Sequence, residues 1–374
     1  MDEDSKLYVG LDVHKDSIAI GVAEAGRNAG RVVGQIPHDL ARLLKTLARL
    51  GDCDEMHVVY EAGPTGYALQ RSLSARGYRC EVIAPSLIPR RPGVRVKTDR
   101  RDCLLLAELA RAGQLRAVWV PDPGDEAMRD LSRAREDALK ARLQARQQLR
   151  AFLLRHGVRY SGKSAWTKTF HRWLGDLSFE DANRQIAFTE YVLAVQVADQ
   201  RLQRVSESLV QAVSGWRFAP VVAALRALRG IDVVCAIGLM VEIGDIARFD
   251  HPRKLMAYLG LVPCEHSSGD RVRRGAITRS GNSHARRLLT EAAWNYRFKP
   301  RITRCSMRRQ QDLSAPIQAI AWKAQVRLTG RYARLQARGV QPNKVCVAVA
   351  RELTGFVWAI AQASSPACSN PVAC

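Results

Sequence analysis

LYVGLDVHKDSIAIGVAE, residues 7–24, is the stretch whose reading decides the first third of the chain. Its two apolar runs, LYVGLDVH (7–14) and SIAIGVAE (17–24), are separated by a short polar link, as the strands of a hairpin are. Working outward, RVVGQIP (31–37) reads as a third strand. His38 to Leu50 reads as an amphipathic helix with Leu40, Leu43, Leu44 and Leu47 on one face. MHVVYEAG (56–63) is nearly continuous in apolar character, which a strand covered on both faces requires. Pro64 opens a helix to Arg76, CEVIA (80–84) is a further strand, and Arg101 to Ala112 a further helix.

The resulting order, βββαβαβα, is that of an α/β RNase H-like (RuvC-like) domain, expected over residues 1–120. From Pro121 the pattern turns helical. Residues 125–155 are rich in Ala, Arg, Gln and Leu, and a loop with Gly157, Gly162, Trp166, Trp173 and Gly175 follows. Phe188, Tyr191, Val195, Ala198, Leu202, Val205, Leu209 and Ala212 then recur at alternating steps of three and four. That spacing predicts a coiled-coil middle segment over 121–218, a helical hairpin that dimerises. ALRALRGIDVVCAIGLMVEIGD (224–245) reads as two helices about a tight turn at Arg229–Asp232. It resembles a helix-hairpin-helix presenting backbone N–H groups to phosphate, with a plain packed pair as the alternative. It opens a mainly α C-terminal domain over 219–363, and 364–374 reads as a disordered tail.

The 374 residues are 47% hydrophobic and 25% charged, ordinary for a globular chain. The longest unbroken apolar run, Val233 to Val241, is far shorter than a membrane span, and the acidic N-terminus is unlike a signal peptide. Nine cysteines without a C-x-x-C pair argue against a disulfide framework or a zinc knuckle, and fit a reducing cytoplasm. The net charge of +22 is uneven: residues 1–60 carry 7 basic and 10 acidic side chains, and residues 221–374 carry 24 and 9. Arginine outnumbers lysine by 47 to 11. Its planar fork matches phosphate, so the expected partner is nucleic acid.

Four carboxylates stand where chemistry would be expected. Asp12 ends the first strand and Glu61 closes the central one. Asp99 and Asp102, in KTDRRD, share one face at a helix start. Four converging acids repel one another unless divalent cations lie between them, and hard oxygen ligands suit Mg2+ or Mn2+. His14 and Lys15 lie beside Asp12, where they either touch phosphate or are plain surface residues. A second constellation is Ser267-Ser268-Gly269, followed by Asp270, Arg271, Arg273, Arg274 and the run Ile277 to Asn282. A loop serine among arginines either contacts phosphate or attacks it, and attack needs activation.

GLDVHKDSIAIGV, YEAGPTGY, KTDRRD and YLGLVPCEHSSGDRVRRGAITRSGN together resemble the signature segments of DEDD transposases of the insertion-sequence "one-ten" family, in order over residues 7 to about 330. The resemblance implies a RuvC-like domain, a coiled-coil segment and a C-terminal transposase domain, acting as a DNA recombinase guided by a bridge RNA. It implies Asp12, Glu61, Asp99 and Asp102 as a catalytic, Mg2+-binding tetrad. It implies Ser268 as nucleophile, with Ser267 the adjacent ambiguity, and Lys15, Arg271, Arg273, Arg274 and Arg279 on nucleic acid. Double-stranded donor and target DNA, bridge RNA and a homo-oligomer, dimer or tetramer, are the implied partners, with no membrane. One alternative is a metal-dependent RNase H-like nuclease or junction resolvase using water in place of the serine. A sugar-kinase fold lacks its later phosphate loop here, and a catalytically dead binding protein would not need four acids.

Overall fold

β1 (Leu7–Val13) and β2 (Ser17–Glu24) form the hairpin the opening stretch predicts, and β3 (Arg31–Pro37) extends it. The structure is a computed structural model, and it describes residues 5–89, 98–268 and 271–364. The 365–374 part of the expected tail lies outside the described residues. α1 (Leu40–Ala48), β4 (Met56–Glu61), α2 (Ala68–Ser74), β5 (Arg79–Ile83) and α3 (Asp99–Arg111) follow in the expected order. The five strands form one mixed sheet, β3-β2-β1-β4-β5, in which β4 runs parallel to both β1 and β5. The chain divides into two units, 1–120 and 121–374.

Strand alternation gives the sheet two distinct faces. Val9, Leu11, Ile18, Ile20, Val22, Val58, Tyr60 and Val82 point to one side, where they bury Leu43 and Leu47 of α1 and Leu73 of α2. Tyr8, Val59 and Ile83 point to the other and pack on Leu106 and Ala110 of α3. Between these, α3 lies almost on the sheet backbone. A Cβ at Gly10 would sit 2.1 Å from the Cys103 carbonyl oxygen and 2.6 Å from the Ala107 nitrogen. One at Gly21 would sit 2.7 Å from the Leu104 nitrogen. Glycine inside a strand commonly marks such an approach. The far end of α3 is tied down by Arg111, whose Nη1 donates to the carbonyls of Glu24 and Asn28 at 3.1 and 2.6 Å.

The second unit begins with a long antiparallel pair, α4 (Pro123–Arg155) and α6 (Ala182–Ala212). Phe152 lies against Phe188 and Tyr191, Arg146 bonds Asp199, and Arg135 bonds Ser206. The heptad stripe of α6 is therefore buried against α4 of the same chain: Phe188, Val195, Ala198, Leu202 and Leu209 are all buried. Between them α5 (Lys168–Gly175) forms where the sequence reads as loop. Thr167 caps it by accepting from the Phe170 N–H, and Phe170 and Leu174, one turn apart, bury its inner face.

α7 (Ala219–Leu225) and α8 (Val233–Ile243) make the expected helical pair. Gly230 in their turn has φ +86°, and a Cβ there would meet the Ala292 carbonyl oxygen at 2.5 Å. The turn is thus seated on α10 (Ser283–Ala293), and its glycine serves packing. α9 (Pro252–Tyr258), the ribbon β6 (Pro263–Glu265) and β7 (Arg274–Ile277), α11 (Arg304–Gln310), α12 (Ala315–Ala337) and α13 (Pro342–Ser364) complete the unit. By length and apolarity α13 could cross a membrane, a feature absent from the sequence reading. Here its apolar stripe, including Val345, Val349, Leu353, Val357 and Ile360, is core of this unit.

Because the atoms opposing Gly10 are backbone and cannot rotate away, Gly10→Ala is expected to cost about 1–3 kcal/mol of stability through overpacking. Urea unfolding of the purified protein measures it. An unchanged midpoint would show that α3 does not press on the strand.

Candidate active site: an acidic cluster and a serine hairpin

The acidic cluster follows from the strand faces. Asp12 is two residues beyond Gly10, so it projects on the α3 side of the sheet. Glu61 ends β4 one residue past the registered pair Leu11–Tyr60, which places it next to Asp12 and on the same face. α3 begins at Asp99, with both Asp99 and Asp102 in its first turn. Its close seating on Gly10 carries that turn to the end of β1.

Asp12, His14 and Asp99 offer ligand atoms that all lie within 4.8 Å of one another. His14 Nε2 is 3.3 Å from Asp12 Oδ2 and 3.5 Å from Asp99 Oδ1. Burial holds the Asp12 carboxyl above its ordinary value; the nearby His14 opposes this, and Asp99 and Asp102 add to it. Asp102 is thus electrostatically part of the group, and Glu61 stands beside it by strand register, outside the tight trio. Lys15 is exposed in the turn after β1. Oxygen donors from one strand end and one helix start, too close to remain mutually charged at no cost, fit a divalent cation. His14, for which the sequence allows either a phosphate contact or a plain surface position, lies between two aspartates. Gly10 and Gly21, which position α3, carried a signal only as glycines within strands.

The serine constellation forms a separate ribbon. β6 and β7 pair antiparallel, Pro263 with Ile277 and Glu265 with Arg274. His266 N–H donates to Arg273 O at 2.9 Å, and Ser268 and Arg271 exchange backbone bonds at 3.3 and 3.2 Å. Gly269 and Asp270 lie outside the described residues. The two serines differ sharply. Ser267 Oγ donates to Glu265 Oε1 at 2.9 Å and accepts from Arg273 N–H at 3.2 Å, which braces the ribbon. Ser268 is exposed, and its hydroxyl has no partner among the described residues.

The base of this ribbon is clamped. A Cβ at Gly260 would meet Ser280 O at 2.1 Å, and one at Gly281 would meet Tyr258 O at 1.9 Å. Arg286 donates to the carbonyls of Leu259 and Ser280 at 2.8 and 2.9 Å. Asn282 caps α10 through the Ala285 N–H, and its amide is held by the buried Glu242. Glu242 was not singled out in the sequence; only its place in an otherwise apolar helix hinted at it. Arg279 adopts φ +56°, the left-handed region disfavoured for non-glycine residues, and its N–H bonds Gly260 O at 3.1 Å. Arg271, Arg273, Arg274 and Arg279 are all exposed on and below the ribbon. Arg274 Nε also lies 3.5 Å from Glu265 Oε2.

Residues 9–157 match the IS110-type DEDD family described as Transposase, and residues 222–305 match the family described as Transposase IS116/IS110/IS902. The protein y4qE of Sinorhizobium fredii, named as a transposase, is 48% identical over 359 residues, 96% of this chain and 89% of its own. The transposase for insertion sequence element IS1533 of Leptospira borgpetersenii is 31% identical, over 89% of this chain and 97% of its own. The transposase for insertion sequence element IS1111A of Coxiella burnetii is 25% identical, over 94% of this chain and 88% of its own.

The raised pKa of Asp12 has a definite sign. The folded chain holds that proton more tightly than the unfolded chain does, so this stabilisation is complete below the ordinary value of 3.8 and is lost as pH rises through the raised one. At neutral pH and in chelator, Asp12→Asn is therefore expected to raise the unfolding temperature. Added Mn2+ should raise it for the parent protein and less for the variant. A variant that is no more stable in chelator would contradict the crowding of these acids.

Proposed function

We propose, for a chain that belongs to the IS116/IS110/IS902 family of transposases, that the acidic cluster and the serine hairpin serve one phosphoryl-transfer reaction on DNA. As a transposase the chain is an enzyme that cleaves and joins DNA. The observation that carries the finer reading is the convergence of Asp12, Asp99 and His14 atoms within 4.8 Å, with Asp102 and Glu61 beside them.

In this reading Asp12, Glu61, Asp99 and Asp102 hold Mg2+ or Mn2+. When bound, the ion supplies Lewis-acid stabilisation of the charge that develops on the phosphate and the departing oxygen. Ser268 Oγ forms a new bond to a DNA phosphorus as the bond to the departing sugar oxygen breaks; that oxygen leaves with the electron pair, and the serine proton passes through solvent to it, giving a free sugar hydroxyl. A sugar hydroxyl of the joining strand then attacks the phosphoserine and releases Ser268, so the number of phosphodiester bonds is conserved. The exposed Ser268 hydroxyl, without a partner among the described residues, is favoured over Ser267, which is engaged on both sides. Arg271, Arg273, Arg274, Arg279 and Lys15 neutralise and orient the backbone.

Two further parts belong to this reading. A bridge RNA pairing with donor and target DNA supplies sequence choice, and the basic C-terminal half suits such a partner. Assembly as a dimer or tetramer brings acids and serine to the same phosphate. The heptad face of α6 is already covered by α4, so a second copy would use the outer face, where Ile186, Leu193 and Val197 are 62%, 44% and 61% exposed. The domain boundaries at 120 and 218 are part of the same proposal.

Ser268→Ala is expected to lower strand exchange at least ~1,000-fold and to abolish the covalent protein–DNA species seen on denaturing gels, with folding intact. Ser267→Ala should retain the covalent species at reduced yield. Metal-dependent cleavage that persists in Ser268→Ala would overturn the serine and favour the alternative of a nuclease or junction resolvase that activates water.

A further inference from the structure

Outside both sites, the second unit holds a cavity of about 400 Å3 where the start of α9 faces the middle of α12 and α13. It is lined by Arg253, Arg327, Arg331 and Arg351, with His251 at the rim and Glu352 as the one acid. Four guanidiniums against one carboxylate leave a surplus of three positive charges around one concave site. Their arrangement is ordered. Glu352 Oε2 accepts from Arg327 Nε at 2.9 Å, and Glu352 Oε1 lies 3.2 Å from Arg331 Nε. Arg327 is therefore held by its Nε side, and Arg331 is drawn to the same carboxylate as an ion pair although its buried Nε makes no hydrogen bond; no hydrogen bond from the terminal amino groups of either is found among the described residues. Arg253 and Arg351 make no ion pair among the described residues. His251 Nδ1 accepts from Arg253 N–H at 3.1 Å, which caps α9 and sets the backbone from which Arg253 projects.

Like charges converging on a hollow are costly unless an anion occupies it. Guanidinium forks match the geometry of phosphate oxygens better than any other side chain does. A cavity of this volume is at the lower end of ligand-sized sites and exceeds what one small inorganic anion needs. We propose that this cavity is a backbone-phosphate clamp for nucleic acid, seating a phosphate and its sugar on Arg253, Arg327, Arg331 and Arg351, with Glu352 as the buttress that aims two of them. The inference rests on the reading that the chain handles nucleic acid, and is independent of the nucleophile and of the metal. The shared chemistry is the phosphodiester, whether of DNA or of RNA.

The test is binding of the full-length protein, by fluorescence anisotropy across a salt series, to a random-sequence DNA duplex and to a random-sequence RNA hairpin. Arg253→Gln with Arg351→Gln should weaken binding about tenfold and flatten the log–log salt slope by about 1 to 2 for the nucleic acid the clamp serves. Weakening for DNA alone, RNA alone or both identifies the source, and each supports the site. The unfolding temperature should not change, and the corresponding Arg→Lys pair should recover part of the affinity. Glu352→Gln separates a built site from diffuse charge: it makes the surface more positive, so simple attraction predicts tighter binding, whereas loss of the buttress predicts weaker binding. Unchanged affinity and slope in the Arg253/Arg351 pair, or tighter binding by Glu352→Gln, would overturn the clamp. Ser268→Ala should bind like the parent, so failure of the serine mechanism and failure of the clamp give different results.

Discussion

The backbone contact between α3 and the strands β1 and β2 is the constraint on which the acidic site depends. Gly10 and Gly21 present no side chain, so the helix backbone at Cys103, Leu104 and Ala107 can approach where any Cβ would collide. That approach has a chemical consequence. Asp102 immediately precedes the contact and Asp99 stands about one turn before it, and Asp12 stands two residues beyond Gly10, so seating the helix also assembles the carboxylates. Apolar packing of Leu106 and Ala110 on Val59 and Ile83 holds the helix in place against the repulsion this creates. Folding energy from the core is thereby converted into crowded negative charge at a strand end, which is what a cation-binding site requires.

The serine ribbon solves the opposite problem. In the proposed reaction its serine must be exposed, yet its direction must be fixed. The interlocked glycines at 260 and 281, the Arg286 bonds to two carbonyls and the Glu242–Asn282–α10 connection make the base rigid. Ser267 then braces the arms through its hydroxyl, while Ser268 is held by its backbone bonds to Arg271 and keeps its side chain exposed. The left-handed backbone at Arg279 fits this pattern: local strain is tolerated where surrounding bonds over-determine the conformation.

Much of the first unit was legible because it is built from local signals. The strand runs alternate or saturate in apolar character according to their burial, so β1 through β5 fall within a residue or two of the pattern. The acids at strand ends and at a helix start were visible by position. Other features were not. α5 was hidden because one short helix capped by Thr167 gives too little periodicity amid glycines and tryptophans. The heptad of α6 announced a seam but could not say what fills it, since α4 offers a matching face in the same chain. The glycine of the α7–α8 turn left a phosphate-presenting turn and a plain packed pair both open, and only the position of Ala292 shows that the glycine packs against α10.

Sequence alone determined the strands and helices of the sheet domain and their order, the identity of the acids and serines, and the basic balance of the C-terminal half. These depend on residue type and spacing, which the chain carries locally. Tertiary structure decided which groups meet: His14 between two aspartates, the Ser267 hydroxyl tied while that of Ser268 has no partner among the described residues, and four arginines from three helices around one hollow. Those facts depend on distances between residues far apart in the chain, and such distances are set by close packing, which one-dimensional pattern does not encode.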